Sequence, residues 1–187
     1  LHYPLRRQRQ MCIRDRYNYT STRRTFYISR IIDEEIKKMI YAYDKVYLRI
    51  AQRSLGEMLS YAVYDLGYEL EDYYKIFLQS KYSMRFSKGD LFVITGMSGA
   101  ELAIRVLDIP DDDIIMPSYN TAKSQEYWTG WILAYYQWEN GKTFEMIDKE
   151  IPICKIRNMY NPYHEMDISS AILKLREMSQ VAKGVVL

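Results

Sequence analysis

Residues 124–138 read SQEYWTGWILAYYQW and hold all three tryptophans of the chain. Tyr127, Trp131, Tyr135 and Trp138 recur at spacings of four, four and three, which places them on one helical face. Trp128, Ile132 and Tyr136 fall beside them, so the helix is apolar around most of its girth, as expected of a buried central element. Each large aromatic buries roughly 150–250 Å². At about 25 cal/mol per Å² the helix supplies on the order of 15 kcal/mol or more of gross burial before entropy is counted. Ser124 is a natural N-cap with Glu126 in the first turn, and Gly141 is placed to end the helix past Asn140. Gly130 costs about 1 kcal/mol relative to alanine inside a helix, and the expected compensation is close approach of another backbone. The reading is a packed core of Tyr127, Trp128, Trp131, Tyr135 and Trp138, with a ligand or partner pocket as the alternative.

Upstream, Lys45 to Leu66 keeps Ala51, Leu55, Met58, Leu59, Ala62, Val63 and Leu66 on one helical face, and Gly67 stops it. Leu70 to Gln79 forms a second helix with Tyr73, Ile76 and Phe77 inward and Glu69, Glu71 and Asp72 at its positive end. The short link makes the two an αα-hairpin. Ser98 and Glu101 form a capping box, with Met97 and Leu102 as its hydrophobic staple. Leu91 to Thr95 before it reads as a very short strand or an apolar loop. Asp108 to Lys123, with two prolines and an acidic run, has no period and marks a linker. Asp111, Asp112 and Asp113 lack the spacing and closing glutamate of a calcium loop and read as a solvated turn.

Gly96-Met97-Ser98 resembles a nucleophile elbow, with Asp111 to Asp113 and His164 following in the order of a hydrolase triad. Against this enzymatic reading, Ala100 stands where the second glycine belongs, and no parallel strands exist to carry the elbow. Ser98 is expected to cap a helix. Downstream, Thr143 caps Phe144 to Lys149, and Pro152 opens Ile153 to Tyr160 with Ile156 and Tyr160 inward. Three short helices in this order invite a helix-turn-helix comparison over residues 143–160, with Lys155, Arg157 and Asn158 offered to a DNA groove. Asp148 occupies the position where a small residue should pack. Pro162 breaks the chain, and Asp167 caps Ile168 to Met178, which turns Ile168, Ala171, Ile172, Leu175 and Met178 inward. Residues 179–187 read as a frayed tail. His164 lies among Glu165 and Asp167, but one histidine without a second at i+4 is a poor zinc site. A local hydrogen bond or capping role suits it better, and neither metal nor cofactor is expected.

The chain does not open on methionine, and residues 1–16 have neither helical nor strand period. Met11 to Asp15 can be written ATG TGT ATA AGA GAC, which looks like a transposon-adaptor end, so residues 1–16 are expected to be a sequencing artefact. Glu34 to Met39 can be written as a ribosome-binding site followed by a start codon, making 17–38 a leader. The competing reading is an amphipathic helix over Ile31 to Tyr43. The formal charge of +2 falls to −2 without residues 1–16 and to −4 from Met39 onward, so the apparent basicity is no nucleic-acid footprint. With Cys12 set aside, Cys154 stands alone and no disulfide framework forms, which makes the cytoplasm the default compartment. The expected fold is all-α: a compact bundle of two packed halves, 39–107 and 124–178, joined by 108–123 around the central aromatic helix 124–139, with at most one very short strand near 91–95.

From about Met39 to Met178 the chain resembles a family of small, uncharacterised bacterial proteins. The stretches that carry the resemblance are YAYDKVYL, LGEMLSYAVYDLGYELEDYYKIFLQS, GMSGAEL, EYWTGWILAYYQW and YHEMDIS. That family is often encoded beside small genes arranged like toxin–antitoxin or phage-defence cassettes. The family brings no established activity to any residue here. Its gene neighbourhood, together with the missing catalytic constellation and the abundance of tyrosine, points to a non-enzymatic, antitoxin-like or regulatory component that contacts a protein partner encoded nearby, and the lack of an apolar span keeps it away from membranes. A DNA-binding regulator using Lys155, Arg157 and Asn158 is the rival, and a hydrolase using Ser98 the more remote one.

Overall fold

Apolar residues at helical spacing, cut by caps and glycines, turn the second part of the chain into a succession of short helices and three longer ones. The computed structural model describes residues 41–110, 116–117 and 124–182. The chain divides between Met39 and Ile40, and every described residue lies in the second unit. A 3-10 turn at Lys45–Tyr47, capped by Asp44, leads into α1 (Leu48–Tyr64). Then follow α2 (Leu70–Gln79), α3 (Lys81–Ser87), α4 (Leu91–Thr95) and α5 (Gly99–Leu107). After the linker come α6 (Gln125–Asn140), α7 (Phe144–Glu150), α8 (Ile153–Asn158), α9 (Tyr160–Tyr163) and α10 (Ile168–Ala182). The fold is all-α, with no strand among the described residues.

The core is organised by α1, which packs along α6 on one side and α5 on the other. Helices from both sides of 108–123 thus share one apolar core that runs from Ala51 and Leu55 through Leu133 and Phe144 to Ile172 and Leu175. A Cβ on Gly99 would stand 2.5 Å from the Ser54 carbonyl oxygen, so only glycine lets α5 start against α1 here. Gly67, at φ +74°, turns the chain out of α1, and Gly141, at φ +61°, ends α6.

The capping expectations place Ser124 Oγ 3.0 Å from the Tyr127 N–H and Thr143 Oγ1 3.3 Å from that of Met146. Ser98 Oγ accepts from the Glu101 N–H at 3.1 Å, but the Glu101 carboxylate turns to Arg105 rather than back to the cap. Asp167 accepts from the Ser169 N–H at 2.9 Å, and this hydrogen bonding with Ser169 holds its carboxyl below the usual range.

Several local expectations are corrected. Leu91–Thr95 is a helix and not a strand, because Asp90 caps it through the Phe92 N–H and one turn buries Val93 and Ile94 together. In α2 it is Tyr74 that turns inward with Tyr73 and Phe77, while Ile76 is exposed. The helix α3, started by the Ser80 cap, has too few residues to show a period. Pro162 does not break the chain but sits in the first turn of α9, where the missing N–H costs no helical bond. The frayed end proposed from Ser179 is instead the last turn of α10: Ser179 is buried and donates to Glu150 at 2.6 Å. The acidic run Asp111 to Asp113, residues 1–38 and the end of the tail lie outside the described residues.

Candidate interaction surface

The long helix α6 buries a different face from the one its aromatic spacing suggests. Inside are Glu126, Gly130, Leu133, Ala134 and Gln137, whereas Tyr127, Trp128, Trp131 and Tyr135 are part-exposed. Of the five aromatics expected in the core, Trp138 is the buried one. The cause is the crossing with α1. A Cβ on Gly130 would lie 2.5 Å from the Leu55 carbonyl oxygen, and one on Gly56 would lie 2.8 Å from that of Tyr127. Backbones this close admit only glycine at the contact, and the large rings are displaced to the flank.

Along that flank the rings form a row. Tyr127 and Trp131 lie 6.0 Å apart, Tyr135 meets Trp138 edge-on at 5.6 Å, and Tyr41 stacks on Trp138 at 4.1 Å with planes 6° apart. The row is pinned from beneath. Trp138 Nε1 donates to the Tyr43 carbonyl at 2.7 Å, the Ala42 N–H donates to the Trp138 carbonyl, and Gln52 Nε2 reaches the Trp131 carbonyl at 3.3 Å. Arg53–Glu57 borders it near Tyr127 and Arg176–Glu139 near Tyr135. Burial, then the Glu57 and Glu139 carboxylates, push the Tyr127 and Tyr135 hydroxyls up. On the other edge Trp128 meets Tyr160 edge-on at 5.8 Å, and Tyr160 stacks on His164 at 4.3 Å.

At the N-terminal end of α6 a polar knot joins three helices. The Glu126 carboxylate, in a residue 1% exposed, accepts from Tyr64 Oη at 2.6 Å and pairs with Arg157 Nη2 at 3.1 Å. Ser60 and Ser124 share a hydrogen bond, and Gln125 Nε2 donates to the Arg157 carbonyl. The hydrogen bond to Glu126, followed by burial, lifts the Tyr64 phenol to about 12. Sequence spacing missed this knot. The available signal was the file Glu126, Gly130, Leu133, Gln137, where small and polar side chains share a heptad-spaced stripe with Leu133 inside an apolar helix.

The proposed chemistries fare differently. Lys155 and Asn158 are exposed, but Arg157 is held by Glu126 and so is not presented to a groove. Asp148 accepts from the Ile153 N–H at 3.2 Å and so caps α8, and its partial burial raises its pKa. Ser98 follows a helix rather than the strand an elbow requires. His164 Nδ1 sits 3.0 Å from the Tyr160 carbonyl, a local bond. No group of three or more histidine, cysteine or carboxylate residues able to hold a metal occurs among the described residues. Cys154 is a part-exposed free thiol, and no described helix is long and apolar enough to cross a membrane.

No protein-family model matches the chain, and neither a curated protein nor a solved structure matches it.

Proposed function

We propose that this chain acts without catalysis, as a cytoplasmic, antitoxin-like or regulatory component of a small bacterial gene cassette that binds a protein encoded nearby. The observation that supports this reading is the outer flank of α6, where the rings of Tyr127, Trp131 and Tyr135 lie part-exposed at the edge of the core. Tyrosine and tryptophan are among the side chains that dominate interface energetics, because they give large rigid contact area at small entropic cost. The experiment is co-purification of the tagged full chain from cells that carry its own gene neighbourhood. A neighbour's product is expected to co-purify and to be lost with Trp131→Ser, while the thermal melt stays cooperative. Salt-dependent retention on DNA without any neighbour's product would favour the DNA-binding reading instead.

A further inference from the structure

We infer that the aromatic flank of α6 receives an acidic amphipathic helix, a reading that rests on the partner-binding proposal and specifies the partner's chemistry. Lys45, Arg49 and Arg53 recur every fourth residue from the 3-10 turn into α1, and all three are exposed. The pairs Ser60–Ser124, Gln52–Trp131 and Tyr43–Trp138 show that α1 and α6 run antiparallel. This cationic file therefore lies beside the aromatic file Tyr127, Trp131, Tyr135. Arg53 stands at the Tyr127 end, where the two side chains interact electrostatically, and Lys45 at the Trp138 end. Arg53 is shared with Glu57, whereas Lys45 and Arg49 have no carboxylate partner among the described residues. Val46 in the 3-10 turn and Ile50 in α1, 68% and 46% exposed, add apolar area to the same stretch.

Two files of period four spanning eight residues are about 12 Å long, or two helical turns. A helix laid along them places apolar residues at i, i+4 and i+7 on Trp131 and Tyr135, and carboxylates one turn apart on Lys45 and Arg49. Cations bordering an apolar strip set register and specificity more than raw affinity. A nucleic-acid strand fits less well, because its phosphate at every nucleotide would meet the Glu57 and Glu139 carboxylates beside Tyr127 and Tyr135, whereas a helix can place its carboxylates on the cations alone.

The test uses the full chain and a fluorescein-labelled helical peptide of leucine, alanine and glutamate with glutamate at every fourth position. Its lysine counterpart and a labelled oligo-dT serve as rivals, read by anisotropy and by tryptophan emission. The glutamate peptide is expected to bind at least about tenfold tighter than the lysine peptide. Arg49→Glu and Lys45→Glu should each weaken it, and Arg49→Glu should improve binding of the lysine peptide. Both positions are exposed, so unchanged melting checks that the variants fold. The inference is overturned by equal binding of the two peptides, by indifference to Arg49→Glu, by preferential oligo-dT binding, or by a self-associating chain that Arg49→Glu renders monomeric. If the charge preference fails while Trp131→Ser still abolishes capture of the neighbour's product, the acidic-helix inference falls and partner binding stands. If capture was never seen, both fall.

Discussion

Gly130 of α6 stands so close to Leu55 of α1 that a Cβ on the glycine would come within 2.5 Å of the leucine carbonyl oxygen. This contact holds α1 and α6 at backbone distance. Gly130→Ala gains about 1 kcal/mol of helix propensity but forces the helices apart, and overpacking of this kind costs typically 1–3 kcal/mol. Backbone on backbone leaves nothing flexible to yield, so a net loss of about 1–2 kcal/mol is expected in urea denaturation. Gly67→Ala is the contrast: nothing lies within 4 Å of its Cβ, and its loss of about 1 kcal/mol comes from the positive φ alone. Equal stability of Gly130→Ala and the parent chain would refute the close crossing.

The Glu126–Arg157 pair makes a second prediction. Removing one member of a buried pair leaves an uncompensated charge and costs about 3–5 kcal/mol when both are fully desolvated. Arg157 is a third exposed, so Arg157→Met should fall at or below the low end of that range, about 2–3 kcal/mol. A double-mutant cycle with Glu126→Gln should return a coupling of about 1 kcal/mol or more. Additive losses would show that the pair is incidental.

Tyr64 reports on the same knot. Ultraviolet titration should show one phenol ionising near pH 12 in the parent chain and moving down toward the ordinary value of 10 in Glu126→Gln. An unchanged titration curve would mean that Glu126 does not hold the hydroxyl.

Tyr73 and Tyr74 predict the alkaline limit of stability. Both hydroxyls are buried without a hydrogen-bond partner among the described residues, and desolvation raises both pKa values well above 10. The folded state therefore keeps protons that the unfolded chain releases once the pH passes 10. Their contribution is complete below that pH and is lost as the pH rises through the folded values. Tyr74→Phe removes an unsatisfied group, so stability at neutral pH should be unchanged or slightly higher. Its alkaline unfolding midpoint should move upward, and a downward shift would contradict the burial.

For Ser98, a cap predicts that Ser98→Ala loses about 1 kcal/mol of stability. A larger loss, or none, would place the hydroxyl in some other role.

Much of this architecture was readable from spacing alone. The extents of α2 and α6 and the caps Ser124, Thr143 and Asp167 follow from local chemistry, which needs no knowledge of neighbours. The buried side of α6 was not readable, because ranking by hydrophobicity puts Trp131 and Tyr135 inside and Glu126 and Gln137 outside. The real order is set by a partner helix that demands glycine at the crossing and by bonds that reach far along the chain. Gln137 Nε2 donates to the Ser87 carbonyl, and Glu126 is satisfied by Tyr64 and Arg157. For the same reason α4 is not legible in the sequence: four apolar residues and a threonine carry no period, and the Asp90 cap decides.

The antiparallel embrace of α1 and α6 also dictates when the molecule can form. Gln52 and Trp131 lie 79 positions apart, and Tyr43 and Trp138 lie 95 apart. Such contacts reward the chain only after long loops have closed. On the ribosome, α1 to α5 are finished well before their principal neighbour is made, and Leu55 and Leu59 stay wet until α6 emerges. The newborn chain is thus aggregation-prone for as long as its later portion is unfinished, which is the interval in which a chaperone would engage it.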